Sequence, residues 1–411
     1  MPNQYSIELQ TGKLQVSVLS AKFSLDTLLT FGSRLNPKRR FLFVSKVLGK
    51  YVPCKPSIMR ESYQAIAQQI QSLLNASQAN IANNTWVLGV AETATGLGAG
   101  VAQEVKRMSA SVAGNKVIYS HTTRCSLEQT IDFSIVEAHS HAPSHLIYQL
   151  DESLDYEDIN RVVLVDDEIS TGRTLAQLTE QLLARLPNLT TVVWASLVNW
   201  ISAEDIKNLK ASYPNISLQF CSLLYGTFEF NSNPSFTDKL PANTATGISN
   251  MLSRADIGRL GYSMSELPTC QFVEVTDCTE QDKETRDTAN AVGEGLATQS
   301  LDIGALDKTK RYTIIGTGEF SYQPFLFAEQ LQQQGFDVLF QSTGRSPAIE
   351  DCGIVSKISR FDQGHQGMYY LYNLPDDREN ILCYENEQQF KHCPFKDDIK
   401  AQVVILEHFE Y

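Results

Sequence analysis

No stretch of the chain is apolar for long enough to cross a bilayer as a helix, so a helical membrane protein is excluded. Paired cysteines are also missing. The eight cysteines, at 54, 125, 221, 270, 278, 352, 383 and 393, form no CxxC spacing, which argues against both a disulfide framework and a structural zinc module. The opening segment, MPNQYSIELQTGKLQVSVL, lacks a basic stretch followed by an apolar block, so no secretory signal is expected and the reading is a soluble, cytoplasmic protein. Positive charge is short overall. With 34 Lys and Arg against 47 Asp and Glu, the net charge of -13 speaks against a nucleic-acid binder. There is no internal repeat and no low-complexity tract.

What is present is the patterning of an α/β protein. At 411 residues two domains are expected, and 42% hydrophobic content supplies ordinary cores. Residues 5–19 alternate apolar and polar around a Thr-Gly turn, as a hairpin does. Residues 58–75 put Ile66, Ile70, Leu73 and Leu74 on one helical face. Short apolar runs then alternate with amphipathic helices: Trp86–Ala91 before a helix near Gly98–Met108, Lys116–Ser120, Val162–Val165 before Thr174–Leu186, and Thr191–Val198. That alternation predicts a parallel, doubly wound sheet flanked by helices. Residues 231–246 lose hydrophobic periodicity and read as a linker. Beyond them, Arg311–Phe340 reads as strand, Gly turn, helix and strand, a second α/β unit, with AQVVILEHF as a further strand near the end.

The chemistry is concentrated in VVLVDDEISTGRT, Val162 to Thr174. A buried aliphatic strand ends in Asp166, Asp167 and Glu168, and open α/β sheets bind ligands at the carboxyl ends of their strands. Adjacent acids there can accept hydrogen bonds from a ribose diol. Ser170, Thr171, Gly172, Arg173 and Thr174 lead into a helix, whose N-terminal amides and dipole suit a phosphate. Together the two halves have the spacing of a 5-phosphoribosyl group. A bare strand-to-helix loop with ordinary capping uses the same residue types. A second loop, GVAETATGLG, places Glu92, Thr93, Ala94 and Thr95 between a strand and a helix, where small residues let the backbone approach an anion.

Two further stretches stand near this chemistry. HTTRCSLEQTIDFSIVEAHSHAPSHLIY is too long for a plain connection and suits a lid over the site. In it Arg124 can neutralise a leaving anion, and His139, His141 and His145 can move protons near neutral pH. No Cys or acid nearby completes a standard zinc set, so no protein ligands to a metal are assigned. The first 60 residues carry ten basic side chains against two acidic ones, a local anion-attracting segment in an acidic chain. Its stretch Arg34–Pro53 interleaves Lys38, Arg39, Lys46 and Lys50 with Phe41, Phe43 and Tyr51, which suits a planar, partly anionic guest. A solvated basic face over an apolar core fits the same pattern.

The thirteen-residue segment resembles the phosphoribosyl pyrophosphate (PRPP) signature of type I phosphoribosyltransferases. The resemblance implies that Asp166 and Asp167 hold the ribose, that Ser170–Thr174 hold the 5-phosphate, and that Glu92–Thr95 belong to the pyrophosphate loop. It also implies that Arg34–Pro53 belongs to a hood over the acceptor and that Mg²⁺ bridges pyrophosphate and ribose with few direct protein ligands. With NPKRRFLFVSKVLGK and EAHSHA added in order, the chain resembles the orotate-phosphoribosyltransferase-like branch found in bacterial tellurium-resistance and stress gene clusters. Members of that branch carry a C-terminal domain named for a Thr-Arg-Ser-Pro motif. Thr343-Gly344-Arg345-Ser346-Pro347 is similar to that motif with Gly344 set before the arginine, and Gly316–Phe325 is similar to the same domain's other signature.

The expected organisation is therefore a transferase domain over residues 1–230 (hood 1–57, core 58–230), a linker over 231–250 and a second α/β domain over 251–411. Gly318, Glu319, Arg345 and Ser346 are the candidate ligand-binding residues of that second domain. The expected activity is transfer of phosphoribosyl from PRPP to a nitrogenous, base-like acceptor, with Arg124, His139, His141 and Asp167 as catalytic candidates and a homodimer as one possible assembly. A PRPP-binding regulator without turnover is the alternative. PRPP synthesis from ribose phosphate and ATP ranks lower, because no ATP-recognition segment is evident.

Overall fold

The structure is a computed structural model that describes residues 3–75, 84–109, 114–136, 145–237, 257–275, 298–363, 367–392 and 395–410. The chain opens with the expected hairpin, β1 (Asn3–Leu9) and β2 (Gly12–Ala21), paired antiparallel. A one-turn helix, α1 (Leu25–Leu28), capped by the Ser24 hydroxyl, leads into a second hairpin, β3 (Leu29–Ser33) and β4 (Phe41–Ser45). Helix α2 (Pro56–Asn75) buries Ile66, Ile70 and Leu74 on one face, as their spacing predicts.

The parallel core follows: β5 (Asn84–Gly89), α3 (Thr95–Ser109), β6 (Val117–His121), a side hairpin of β7 (Ile131–Ile135) and β8 (His145–Tyr148), then β9 (Ile159–Ile169), α4 (Arg173–Leu183), β10 (Thr191–Asn199), α5 (Ala203–Ser212) and β11 (Ser217–Ser232). Strands β6, β5, β9, β10 and β11 run parallel in that spatial order, and the first hairpin extends the sheet antiparallel beyond β11. Every residue of β10 is buried, which fits a strand with helices on both of its faces. The opposite edge is closed by β12 (Tyr262–Ser263), from the segment that follows the expected linker, pairing antiparallel with β6.

A second sheet is built from β13 (Thr269–Val275), β14 (Thr298–Ser300), β15 (Arg311–Gly316), β16 (Asp337–Ser342), β19 (Glu379–Tyr384) and β20 (Ala401–Glu410), in the order β14-β13-β20-β19-β15-β16. A separate hairpin, β17 (Lys357–Asp362) and β18 (Gly367–Tyr372), lies beside it. Helix α6 (Tyr322–Gln333) links β15 to β16, giving the expected strand, turn, helix and strand. The outer edge of β16 is not open. Cys54 and Phe340 exchange backbone hydrogen bonds of 3.0 and 2.8 Å, and Ser342 N donates to Gly49 O at 2.6 Å.

The two sheets share one apolar interior. A single buried cluster runs from Leu14 and Ile66 through Leu97 and Val163 to Phe325, Phe340 and Val404. None of the described helices is long and apolar enough to cross a membrane.

Candidate active site

Strand β9 runs four residues past the expected Val165. The pairing Gly89↔Val165 is the last one with β5, whereas β10 continues through Ser196↔Asp166 and Val198↔Glu168. Asp166, Asp167 and Glu168 therefore stand on one side of an open notch at the carboxyl edge of the sheet. All three are half-buried, and the Asp167 amide donates to Asp166 Oδ1 at 2.9 Å. Burial raises the Asp167 carboxyl above its ordinary value, against the pull of Asp166, Arg39 and Lys50. The chain then turns at Gly172, which has φ +72° and caps α4. A Cβ there would lie 2.7 Å from the Trp194 ring, so both conformation and space demand glycine. Thr171 and Arg173 are exposed on the turn, Ser170 and Thr174 are half-buried, and α4 starts directly after it.

The loop from Val90 to Ala94 leaves β5 at the same carboxyl edge, where Val90 N donates to Val165 O at 2.9 Å. Its close approach to α3 depends on small residues: a Cβ on Gly98 would come 2.8 Å from the Gly89 Cα. The Ala91–Glu92 peptide is cis. Ala91 N donates to the Thr122 hydroxyl at 2.9 Å, and the Thr95 hydroxyl lies 3.0 Å from both Glu319 O and Ser321 Oγ. Thr95 is thus engaged by the second domain. Thr93 is half-buried and Ala94 buried.

The basic stretch divides into residues that reach the site and residues that do not. One nitrogen of Arg39 donates to both carboxylate oxygens of Glu168 at 2.7 Å, and its guanidinium lies over Phe41 and Phe43 at 4.9 and 5.6 Å. Burial lifts the Glu168 carboxyl above its ordinary value, with Arg39 pulling the other way. Lys50 is 7% exposed; its ammonium donates to Gly318 O at 2.7 Å and Thr343 O at 3.0 Å. By contrast, Lys46 is exposed and donates to Asp26 O at 2.6 Å, and Lys38 is exposed at the tip of the hairpin turn.

The two signatures of the second domain lie against the same notch. Gly318, at φ +59°, forms a tight turn after β15, and its amide donates to the Thr343 hydroxyl at 2.9 Å. Glu319 is buried. It accepts from the Thr123 hydroxyl and from the Arg124 amide at 2.6 Å each, with Arg259 Nε 3.4 Å away. Burial opposes its ionisation, yet Arg259, His121 and those two donors hold its carboxyl down at about 2. Arg345 Nε donates to Glu92 Oε2 at 3.0 Å, bridging the second domain to the first. Ser346 is half-buried, with its carbonyl accepting from the Tyr372 hydroxyl at 2.6 Å. The neighbouring Pro347 carbonyl accepts from Leu35 N at 3.1 Å, which ties this loop to the hood.

Arg124 is half-buried, with its guanidinium 3.4 Å from His145 Nε2, while His145 Nδ1 sits 2.8 Å from the Thr122 hydroxyl. His139 and His141 lie outside the described residues. Sequence reasoning missed Arg259, which pairs Glu385 through both nitrogens at 2.7 and 3.1 Å, and Arg60, which grips Glu329 at 2.6 and 2.7 Å. Both sit in segments with no motif, and only their burial marks them. Among the described residues no group of three or more His, Cys, Asp or Glu is placed to hold a metal by itself. The Asp166 and Asp167 carboxylates are nevertheless hard oxygen donors at an open edge, and they suit a Mg²⁺ ion completed by water and ligand oxygens.

A family described as phosphoribosyl transferase matches residues 28–227, and a TRSP domain described as lying C-terminal to that transferase matches residues 278–396. This chain belongs to the phosphoribosyl transferases with a TRSP domain. Among solved structures it is similar to adenine phosphoribosyl transferase from Trypanosoma brucei, at 14% identity over 48% of this chain and 77% of that one, with a TM-score of 0.32. It is likewise similar to the Giardia lamblia adenine enzyme, at 12% identity, 50% and 98% coverage and a TM-score of 0.30. For the Trypanosoma cruzi hypoxanthine enzyme the values are 13% identity, 37% and 69% coverage and a TM-score of 0.24. No curated protein matches the sequence.

Proposed function

We propose that this phosphoribosyl transferase uses PRPP, with Mg²⁺, to attach phosphoribosyl to a nitrogenous, base-like acceptor in the cytoplasm. The reading rests on one observation: Asp166 and Asp167 stand beside a glycine-capped helix N-terminus at the carboxyl edge of the sheet. A ribose diol hydrogen-bonds the acids while the amides of the Ser170–Thr174 turn take the 5-phosphate. Mg²⁺, when bound, supplies charge neutralisation for the pyrophosphate. The bond from the anomeric carbon to the pyrophosphate oxygen breaks, a bond to the acceptor nitrogen forms, and the acceptor proton leaves to a base. The fixed carboxylates favour the cationic sugar of the transition state, and Arg124 offsets charge on the departing group.

The acceptor would lie under the hood, on the side of the sugar where Arg39 pairs with Glu168. The test is incubation of purified protein with PRPP, Mg²⁺ and a panel of bases, with pyrophosphate release as the readout. Release with one acceptor, lost in Asp167→Ala, is the expected result. Tight PRPP binding without release on any acceptor would favour a regulatory protein, and unchanged PRPP affinity in Asp167→Ala would remove the site assignment.

A further inference from the structure

Glu92 sits at the tip of the first-domain loop with an unusual set of neighbours. Its side chain is 11% exposed, Oε2 accepts from Arg345 Nε, and Oε1 is buried with no hydrogen-bond partner. The Lys50 ammonium stands 3.7 Å from Oε1, beyond hydrogen-bond length. An ammonium has three N–H groups, and Lys50 spends two on the carbonyls of Gly318 and Thr343. Its third finds no acceptor within hydrogen-bond length among the described residues. A buried carboxylate oxygen and a buried ammonium hydrogen thus face each other at a distance neither would choose. Leaving such groups unmet costs free energy that a bound ligand would recover.

The surroundings identify the ligand class. Lys50 feels the charges of Glu92, Glu319 and Asp167, so it lies within electrostatic reach of the sugar-binding acids. Gly344, the residue inserted in the Thr-Arg-Ser-Pro-like motif, borders Glu92: a Cβ built on it would be in contact with Glu92 Oε1, at 3.8 Å. Two buried cations around a space filled by one carboxylate match a group with more oxygens and more charge than a carboxylate.

We propose that Lys50 and Arg345 form a two-domain subsite for a pyrophosphate group, and that Glu92 is an internal anion which gives way when that group binds. The inference rests on the transferase reading and adds to it a pyrophosphate-binding residue from the TRSP domain. Replacing a carboxylate by a doubly charged oxyanion pairs the third N–H of Lys50, strengthens the Arg345 contact and frees the loop that carries Glu92.

Calorimetric titration with inorganic pyrophosphate and, separately, PRPP, both with Mg²⁺, tests this in full-length protein. Glu92→Gln removes the competing charge and should tighten pyrophosphate binding roughly tenfold, whereas Arg345→Gln should weaken it roughly tenfold, each the size of one charge-assisted hydrogen bond. Lys46→Ala, remote from the notch, serves as the unchanged control. If Glu92→Gln does not fold, Glu92→Asp, which draws the carboxylate back from both cations, should shift binding in the same direction. Folded Glu92 variants that bind pyrophosphate no better than wild type, or an Arg345→Gln variant that binds it equally well, would overturn the subsite while leaving the transferase reading intact. Wild-type protein that binds neither compound would overturn both.

Discussion

Burial pushes the Asp167 and Glu319 carboxyls the same way, but their partners leave them on opposite sides of their ordinary values, and each difference can be measured. Asp167 has its pKa raised by desolvation, with Asp166, Arg39 and Lys50 only partly offsetting it. A carboxylate with a raised folded-state pKa destabilises the fold once pH passes the unfolded-state value, so Asp167→Asn should unfold at a higher temperature than wild type near neutral pH. Under the proposed function the same variant should weaken PRPP binding at least roughly tenfold, the size expected for loss of a charge-assisted bond to the sugar. A lower unfolding temperature would show that Asp167 is a structural acid. Glu319 is the reverse case. Its pKa falls from 4.5 to about 2, so its stabilisation is complete above the ordinary value and drains away as pH drops between those limits. Glu319→Gln should cost on the order of 3 kcal/mol near pH 6, shrinking to roughly half near pH 3, measured by urea titration. A difference that stays constant with pH would mean the Arg259 and Thr123 contacts do not depend on the charge.

Among the elements, those governed by local pattern were legible. The hairpin at residues 5–19, the amphipathic α2 and α4, and the strands around Val87, Val163 and Val193 all follow from alternation or from a period near 3.6. The acids of β9 were read as the point where the strand ends, because charged residues rarely extend a strand; β10 reaches further than β5 and keeps pairing with them. Long-range partners were invisible to periodicity. Nothing local distinguishes Lys50, which enters the second domain, from Lys46, which stays on the surface; the sheet topology decides between them. Arg259 and Glu385 are 126 positions apart, and no spacing rule connects them. Gly172 was legible as the glycine of a strand-to-helix turn, though its contact with Trp194 was not. Gly172→Ala combines a left-handed φ with a clash against that ring. It should lower stability by about 1–3 kcal/mol and reduce PRPP affinity together. Wild-type stability and affinity in this variant, by thermal melt and titration, would show the turn to be tolerant.

At the scale of the molecule, the two sheets are joined by core and by charge. One apolar cluster crosses the boundary, Arg60–Glu329 and Arg345–Glu92 are largely buried pairs that span it, and Glu319 accepts from Thr123 and Arg124 across it. Removing one member of a buried pair strands the other, which typically costs about 3–5 kcal/mol. The chain should therefore unfold in a single calorimetric transition, with its van't Hoff and calorimetric enthalpies in agreement. Two resolved peaks would mean that the shared interior contributes little.

Residues 49–54 of the first domain serve as a cover for the second domain's outermost strand, because their main chain occupies bonding positions that β16 would otherwise show to water. A fragment beginning after the linker would lose that cover and present a short, apolar strand carrying Val338 and Phe340 beside unpaired amides. Such a border invites a neighbour's strand to zip onto it. Expressed alone, the C-terminal half should self-associate in sedimentation, and a peptide spanning residues 47–56 should return it to a monomer.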